Sequence, residues 1–163
     1  MSEVATLADS AIDEHATKAK FTEFLGYENI LHVSSHGEWF GPDPELSGVL
    51  LEDGRYGVAD VLAVRCRAPL VILSACDSGR MHVAPNDDPF GLVAALMTRG
   101  TANVIACLWP VSASAAKVFV IALIENIQRG TVLIEAMRLA RNRLRAESAD
   151  IADWGAFELF GVG

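Results

Sequence analysis

Short apolar runs bounded by polar, glycine-rich connections alternate along this chain with stretches whose apolar residues return every three or four positions. Residues 1–13 are polar and weakly periodic and are expected to form a loose lead-in. From Glu14 to Leu25, the residues Ala16, Lys20 (through its stem), Phe21, Phe24 and Leu25 share one helical face, and Gly26 closes the helix. Ile30 to Ser34 is a short, partly β-branched run and is expected to be a buried strand. Ser35 to Pro44 contains Gly37, Gly41, Pro42 and Pro44 and is expected to be a loop. Gly48 to Leu51 and Arg55 to Gly57 flank Glu52-Asp53-Gly54, a hairpin signal. A short helix is expected over Val58 to Arg65, with Ala59, Leu62 and Ala63 turned inward.

Pro69 opens a second apolar strand, Leu70 to Ser74, which stops abruptly on Ala75-Cys76 and a long loop to Asp87. Pro89 to Arg99 is expected to be a helix, with Asp88 as its N-cap and Gly100 just past its end. Asn103 to Leu108 is a third buried strand, ended by Trp109-Pro110. Ser112 or Ser114 caps a very apolar helix to about Arg129, with Val118, Ile121, Ala122, Ile124 and Glu125 available to two faces. Gly130 separates it from a helix over Thr131 to Glu147 whose stripe is Leu133, Ala136, Met137, Ala140 and Leu144. Trp154 to Val162 is expected to be a final strand. Alternating strands and helices imply an α/β fold, a mostly parallel central sheet with helices on both faces. The chain opens on a helix where such folds open on a strand. The sheet is therefore expected either to lack one edge strand or to take it from residues elsewhere.

The 163 residues suit a single domain, and 52% hydrophobic content supplies a full core. A net charge of −8 argues against a nucleic-acid surface. Cys66, Cys76 and Cys107 are scattered and odd in number, which fits free thiols in a reducing cytoplasm better than disulfides. The start of the chain lacks the pattern of a signal peptide, and the longest apolar run, Val118 to Ile124, is too short to span a membrane.

Two apolar strands thus end on chemistry: the first on Ser35-His36-Gly37, the second on Ala75-Cys76-Asp77. In an open parallel sheet, ligands bind beyond the carboxyl ends of the strands. An imidazole beside a thiol favours the thiolate, holding its pKa below the free value of about 8.5. Histidine, titrating near about 6.5, can take and return that proton. Gly37 permits close backbone approach, and its N–H with that of Cys76 suits an oxyanion. Cys107, inside Val-Ile-Ala-Cys-Leu, is expected in the core. Cys66, between Arg65 and Arg67, is expected to be inert like Cys107; the alternative is an exposed and mildly reactive thiol, though nothing organises a base near it.

His32 and His36 have metal-ligand spacing on a helix, but in a strand they stand roughly 13 Å apart, too far to share zinc at about 2 Å per ligand. No metal or other cofactor is expected. His32 is expected to be a satisfied structural histidine, and His15 and His82 to face solvent. There is no G-x-S-x-G elbow, G-x-G-x-x-G or P-loop lysine. Trp39 and Phe40 follow His36 and either line a groove or tuck under the loop. Arg138, Arg141 and Arg145 share a helix face, either solvated or docking an acidic partner.

His36-Gly37 and Ser74-Ala75-Cys76 resemble the histidine and cysteine blocks of caspase-like (clan CD) cysteine peptidases. The finer pattern resembles the CHAT domain, often found beside tetratricopeptide repeats. It includes Ser34-Ser35-His36-Gly37, Ser47-Gly48-Val49-Leu50-Leu51, Leu108-Trp109-Pro110-Val111, Glu135-Ala136-Met137-Arg138-Leu139-Ala140 and Trp154-Gly155-Ala156-Phe157, in that order. The resemblance runs from about Ala16 to Gly161. It implies a caspase-like three-layer sandwich and endopeptidase chemistry on a protein substrate, with His36 as base, Cys76 as nucleophile, and Gly37 and Cys76 amides at the oxyanion. Trp109 and Pro110 would contact substrate, and Asp77 either recognises a basic side chain of the substrate or caps the turn; a tetratricopeptide-repeat or other regulatory partner is implied, and no nucleic acid or membrane is. Family members carry acidic residues and a threonine after Leu-Trp-Pro-Val, where this chain has Ser112-Ala113-Ser114-Ala115-Ala116. Members also have a strand and helix ahead of the segment that starts here, so residues 1–163 are expected to be one such domain without them. A catalytically silent interaction module that keeps the fold is the alternative to a peptidase.

Overall fold

The structure, a computed structural model, describes residues 3–6, 11–13, 16–38, 40, 43, 46–75, 91–148 and 150–163. In chain order these form β1 (Glu3–Thr6), β2 (Ala11–Asp13), α1 (Lys18–Leu25), β3 (Ile30–Ser34), β4 (His36–Glu38), β5 (Gly48–Leu51), β6 (Gly54–Gly57) and α2 (Val58–Leu62). There follow β7 (Leu70–Ser74), α3 (Leu92–Thr98), β8 (Asn103–Cys107), α4 (Ala113–Gln128), α5 (Leu133–Glu147), α6 (Ile151–Trp154) and β9 (Phe157–Gly161).

The central sheet has the order β2-β1-β3-β7-β8-β9. β3, β7 and β8 are parallel neighbours, while β1 and β9 run against them. β2, antiparallel to β1, shares the direction of the central three, so the sheet is mostly parallel. Side chains alternate between its two faces. Leu31, Val33, Val71, Leu73, Val104 and Ala106 pack with α1, α2 and α3 on one side. Leu70, Ile72, Ile105, Cys107 and Phe157 pack with α4 and α5 on the other. The expected α/β sandwich, with helices on both faces, is present.

Local chemistry explains most boundaries. The Thr17 hydroxyl accepts from Lys20 N–H to cap α1, and Ser112 accepts from Ala115 N–H to cap α4. The Lys20 ammonium lies 4.9 Å from the Phe24 ring centre. Glu52-Asp53 makes the turn between β5 and β6, with Gly54 at φ +120°, a backbone that side-chain-bearing residues rarely adopt. Phe119 of α4 stacks on Phe157 of β9, with ring centres 3.9 Å apart, tying helix to sheet edge.

Four expectations are corrected. Residues 3–6 and 11–13 are strands rather than lead-in; β1 is held by main-chain bonds to β3, and β2 pairs with β1 as the edge strand, partners that local periodicity does not register. The edge of the sheet beside β3 is therefore occupied. His36–Glu38 is a strand rather than loop, because β5 pairs with it. On α2, Val58 and Val61 are buried while Ala59, Leu62 and Ala63 are exposed. That helix follows β6 directly, its Gly57 N–H is held by the Asp60 carboxylate, and the β-branched pair Val58 and Val61 is the face that packs into the core. Trp154 belongs to a short helix, with β9 starting at Phe157. The proposed start of the third helix at Asp88 and Pro89, and the loop from Cys76, lie outside the described residues.

Candidate active site at the strand ends

β3 and β7 are paired in register along their whole length, from Ile30 opposite Leu70 to Ser34 opposite Ser74. The two strands thus end level, and the pairing extends one step further through Ser35 N–H, 3.4 Å from the Ser74 carbonyl. Ser35 is also the point where the chain leaves the central sheet. Its hydroxyl donates to the Leu50 carbonyl of β5, so a single residue joins the end of β7 to the three-stranded sheet β4-β5-β6.

His36 is the first residue of β4, opposite Leu50, and is exposed. Gly37 is half-buried opposite Val49. The hairpin sheet is braced by Arg55, whose guanidinium lies 3.6 Å from the Glu38 carboxylate and 5.4 Å from the Phe40 ring centre. Phe40 is exposed rather than tucked away. Its N–H is held by the Ser47 hydroxyl at 3.0 Å. Cys76 and Asp77, like Trp39, His15 and His82, lie outside the described residues. The last described residue ahead of Cys76 is Ala75, which is buried.

The third parallel strand, β8, lies beside β7 with Ala106 opposite Leu73. Trp109 and Pro110 follow its carboxyl end. Trp109 is half-buried, and its indole N–H donates to the Ala152 carbonyl of α6 at 2.7 Å. A Cβ at Gly155 would stand 3.5 Å from the same ring. Pro110 is exposed. Ser112-Ala113-Ser114-Ala115-Ala116 forms the cap and first turns of α4, with the Ser112 and Ser114 hydroxyls 3.1 Å apart.

The other titratable candidates separate from this edge. His32 is mid-strand, its Nε2 3.0 Å from the Ser74 hydroxyl, and desolvation lowers its pKa to about 4. It is neutral at physiological pH and satisfied, as expected. Cys107 is core. Cys66 is buried, as the inert reading expects and against the exposed alternative, and burial pushes its pKa up. Its N–H bonds to the Arg99 carbonyl, which pins the segment between α2 and β7 under the C-terminus of α3. Among the described residues, no group of three or more histidines, cysteines or carboxylates could hold a metal ion. No helix among them is long and apolar enough to cross a membrane.

The roles of Ser35 and of the His32–Ser74 pair were not evident from sequence. The signal available was the presence of hydroxyl residues at the ends of both apolar strands.

Comparison with known proteins agrees with this architecture. Human tetratricopeptide repeat protein 28 is 30% identical over 132 residues, which cover 78% of this chain and 5% of that protein. The chain therefore spans only a small part of this relative's length. The profile of the CHAT domain, a caspase-like clan CD domain, matches residues 2–162, and on that near-complete match the chain belongs to the CHAT domain family.

Proposed function

We propose that this chain is a cysteine endopeptidase with His36 and Cys76 as its catalytic dyad. The observation that carries the reading is the register of the two strands. Ser34 pairs with Ser74, and His36 and Cys76 each follow two positions beyond those paired serines. His36 takes the thiol proton, and the thiolate attacks the scissile carbonyl. The amides of Gly37 and Cys76 meet the resulting oxyanion. The imidazolium gives its proton to the leaving amine, then activates the water that hydrolyses the thioester. No step calls for a cofactor.

Asp77, Trp109 and Pro110 flank the substrate in this reading. The Trp109 indole N–H is already engaged, so the exposed surface beside it is what a substrate meets. The name of the human relative joins a similar segment to tetratricopeptide repeats, and we extend that to a repeat-bearing regulatory partner. We take residues 1–163 as one domain, and free thiols favour a reducing compartment such as the cytoplasm.

The test is to incubate the chain with a cell lysate and map new protein amino termini. Wild type should generate a small set that Cys76→Ala does not. The same termini from both proteins would remove the peptidase reading and leave the interaction module.

A further inference from the structure

We propose that the outer edge of β9, with the face of α5 beside it, receives an extended acidic and apolar peptide segment of a partner protein, which adds to the central sheet as a further strand. The inference does not depend on the peptidase reading. β9 is the edge strand away from β3, with β7 and β8 between them.

The main-chain register defines the open edge. Leu108 N–H donates to the Ala156 carbonyl at 2.9 Å, and Ala106 pairs with Glu158 and Val104 with Phe160. Hydrogen-bonded pairs alternate along an antiparallel ladder. Ala156, Glu158 and Phe160 therefore turn their main-chain groups toward β8, while Phe157, Leu159 and Gly161 turn theirs outward. A side chain supports this parity independently, because the Arg141 guanidinium donates to the Phe157 carbonyl. At the other end, Asn103 Oδ1 accepts from Val162 and Gly163 N–H and bends the chain off the strand line. Among the described residues, Leu159 is left as the open donor and acceptor pair, the pattern that strand addition uses.

The edge borders a cavity of about 560 Å³ against α5, with Met137, Trp154 and Leu159 among its lining. Ile134 and Val162 stand on its rim, 66% and 91% exposed. These are apolar contacts for alternate side chains of an added strand. The sign of the partner follows from charge. Arg138, Arg141 and Arg145 face Glu135 and Glu158 around the cavity, an excess of one positive charge on a chain of net charge −8. Arg138 and Arg141 are paired with those carboxylates, whereas Arg145 lies 5.3 Å over the Trp154 ring with no ion pair among the described residues. The Arg141 Nε–H is enclosed without an acceptor there. A carboxylate-bearing strand supplies Arg145 with the ion-pair partner it lacks. A second copy of this chain fits less well, because a two-fold pairing along β9 would bring the same arginines against one another.

The test uses the whole chain at physiological salt and a fluorescein-labelled probe, acetyl-Glu-Val-Glu-Leu-Glu-Val-Glu-amide, followed by anisotropy. Saturable binding is expected. It should weaken by about tenfold or more when lysines replace the probe's glutamates, when alternate probe amides are N-methylated, and in the exposed-surface variant Arg138→Glu/Arg145→Glu. No binding, or equal binding by the lysine probe, would overturn the acidic partner. Equal binding by the N-methylated probe would overturn strand addition. Self-association in sedimentation that the double variant abolishes would assign the edge to a second copy instead. Activity of the Cys76–His36 site is not needed for any of these readouts.

Discussion

The Nε2 of His32 lies 3.0 Å from the Ser74 hydroxyl, so β3 and β7 are joined by side chains as well as main chain near their carboxyl ends. Burial of this imidazole also makes stability depend on pH. Desolvation lowers the His32 pKa from 6.5 to about 4, so in acid the unfolded chain binds a proton that the folded chain refuses. This contribution to stability is fully present above pH ~6.5, declines as pH falls toward ~4, and is flat below that. Its size is at most about 3 kcal/mol. Urea unfolding of wild type and His32→Gln from pH 7 to pH 4 should show the wild type losing more stability, by up to that amount. Parallel curves would mean the imidazole is not desolvated.

If His36 activates Cys76, alkylation by iodoacetamide near pH 7 should slow by about tenfold or more in His36→Ala, since the thiolate fraction falls with rising thiol pKa. Mass spectrometry resolves the three thiols. Cys66 and Cys107 are buried and serve as internal controls. Both should label only on unfolding. Equal Cys76 rates in the two proteins would remove the activation argument.

Gly48 is where the hairpin sheet approaches itself most closely. A Cβ there would stand 2.4 Å from the Tyr56 carbonyl and 2.9 Å from Gly57 Cα, both rigid backbone. Gly48 pairs with both Glu38 and Gly57, so Gly48→Ala should push β5 away from a neighbour and disturb the strand that begins at His36. We expect a loss of about 1–3 kcal/mol. Hydrogen exchange should rise in β4–β6 more than in β7 and β8. A uniform rise would show that the hairpin sheet is not a separable unit.

Phe119 stacks on Phe157, both fully buried, between α4 and the sheet. Phe119→Ala should cost about 3–5 kcal/mol, and thermal unfolding measures it. A loss under ~1 kcal/mol would mean that α4 moves in to close the gap.

Which parts were legible in the sequence follows from where the information lies. The runs at Ile30–Ser34 and Leu70–Ser74 gave their strands residue for residue, because an apolar segment bounded by a turn has few other places to go. The stripe Ala136, Met137, Ala140 and Leu144 named the buried face of α5 for the same reason. On α2 the same method chose the wrong face, since Val58 and Val61 and the set Ala59, Leu62 and Ala63 both satisfy helical spacing. The docking of β6 selected between them. β1, β2 and β4 carry no periodicity long enough to be seen, and exist through pairing of β1 with β3, β2 with β1 and β4 with β5.

By itself, then, the sequence determined the alternation of strand and helix, the two strand ends that carry His36 and Cys76, and the family pattern around them. These depend on spacing along the chain, which hydrophobic periodicity records directly. The tertiary structure alone decided that Ser34 stands opposite Ser74, that Ser35 joins two sheets, that Cys66 is buried, and that β9 is, among the described residues, the edge of the central sheet beside three arginines. Each of these is set by a partner distant in sequence, through a hydrogen bond or a packed face that no local pattern encodes.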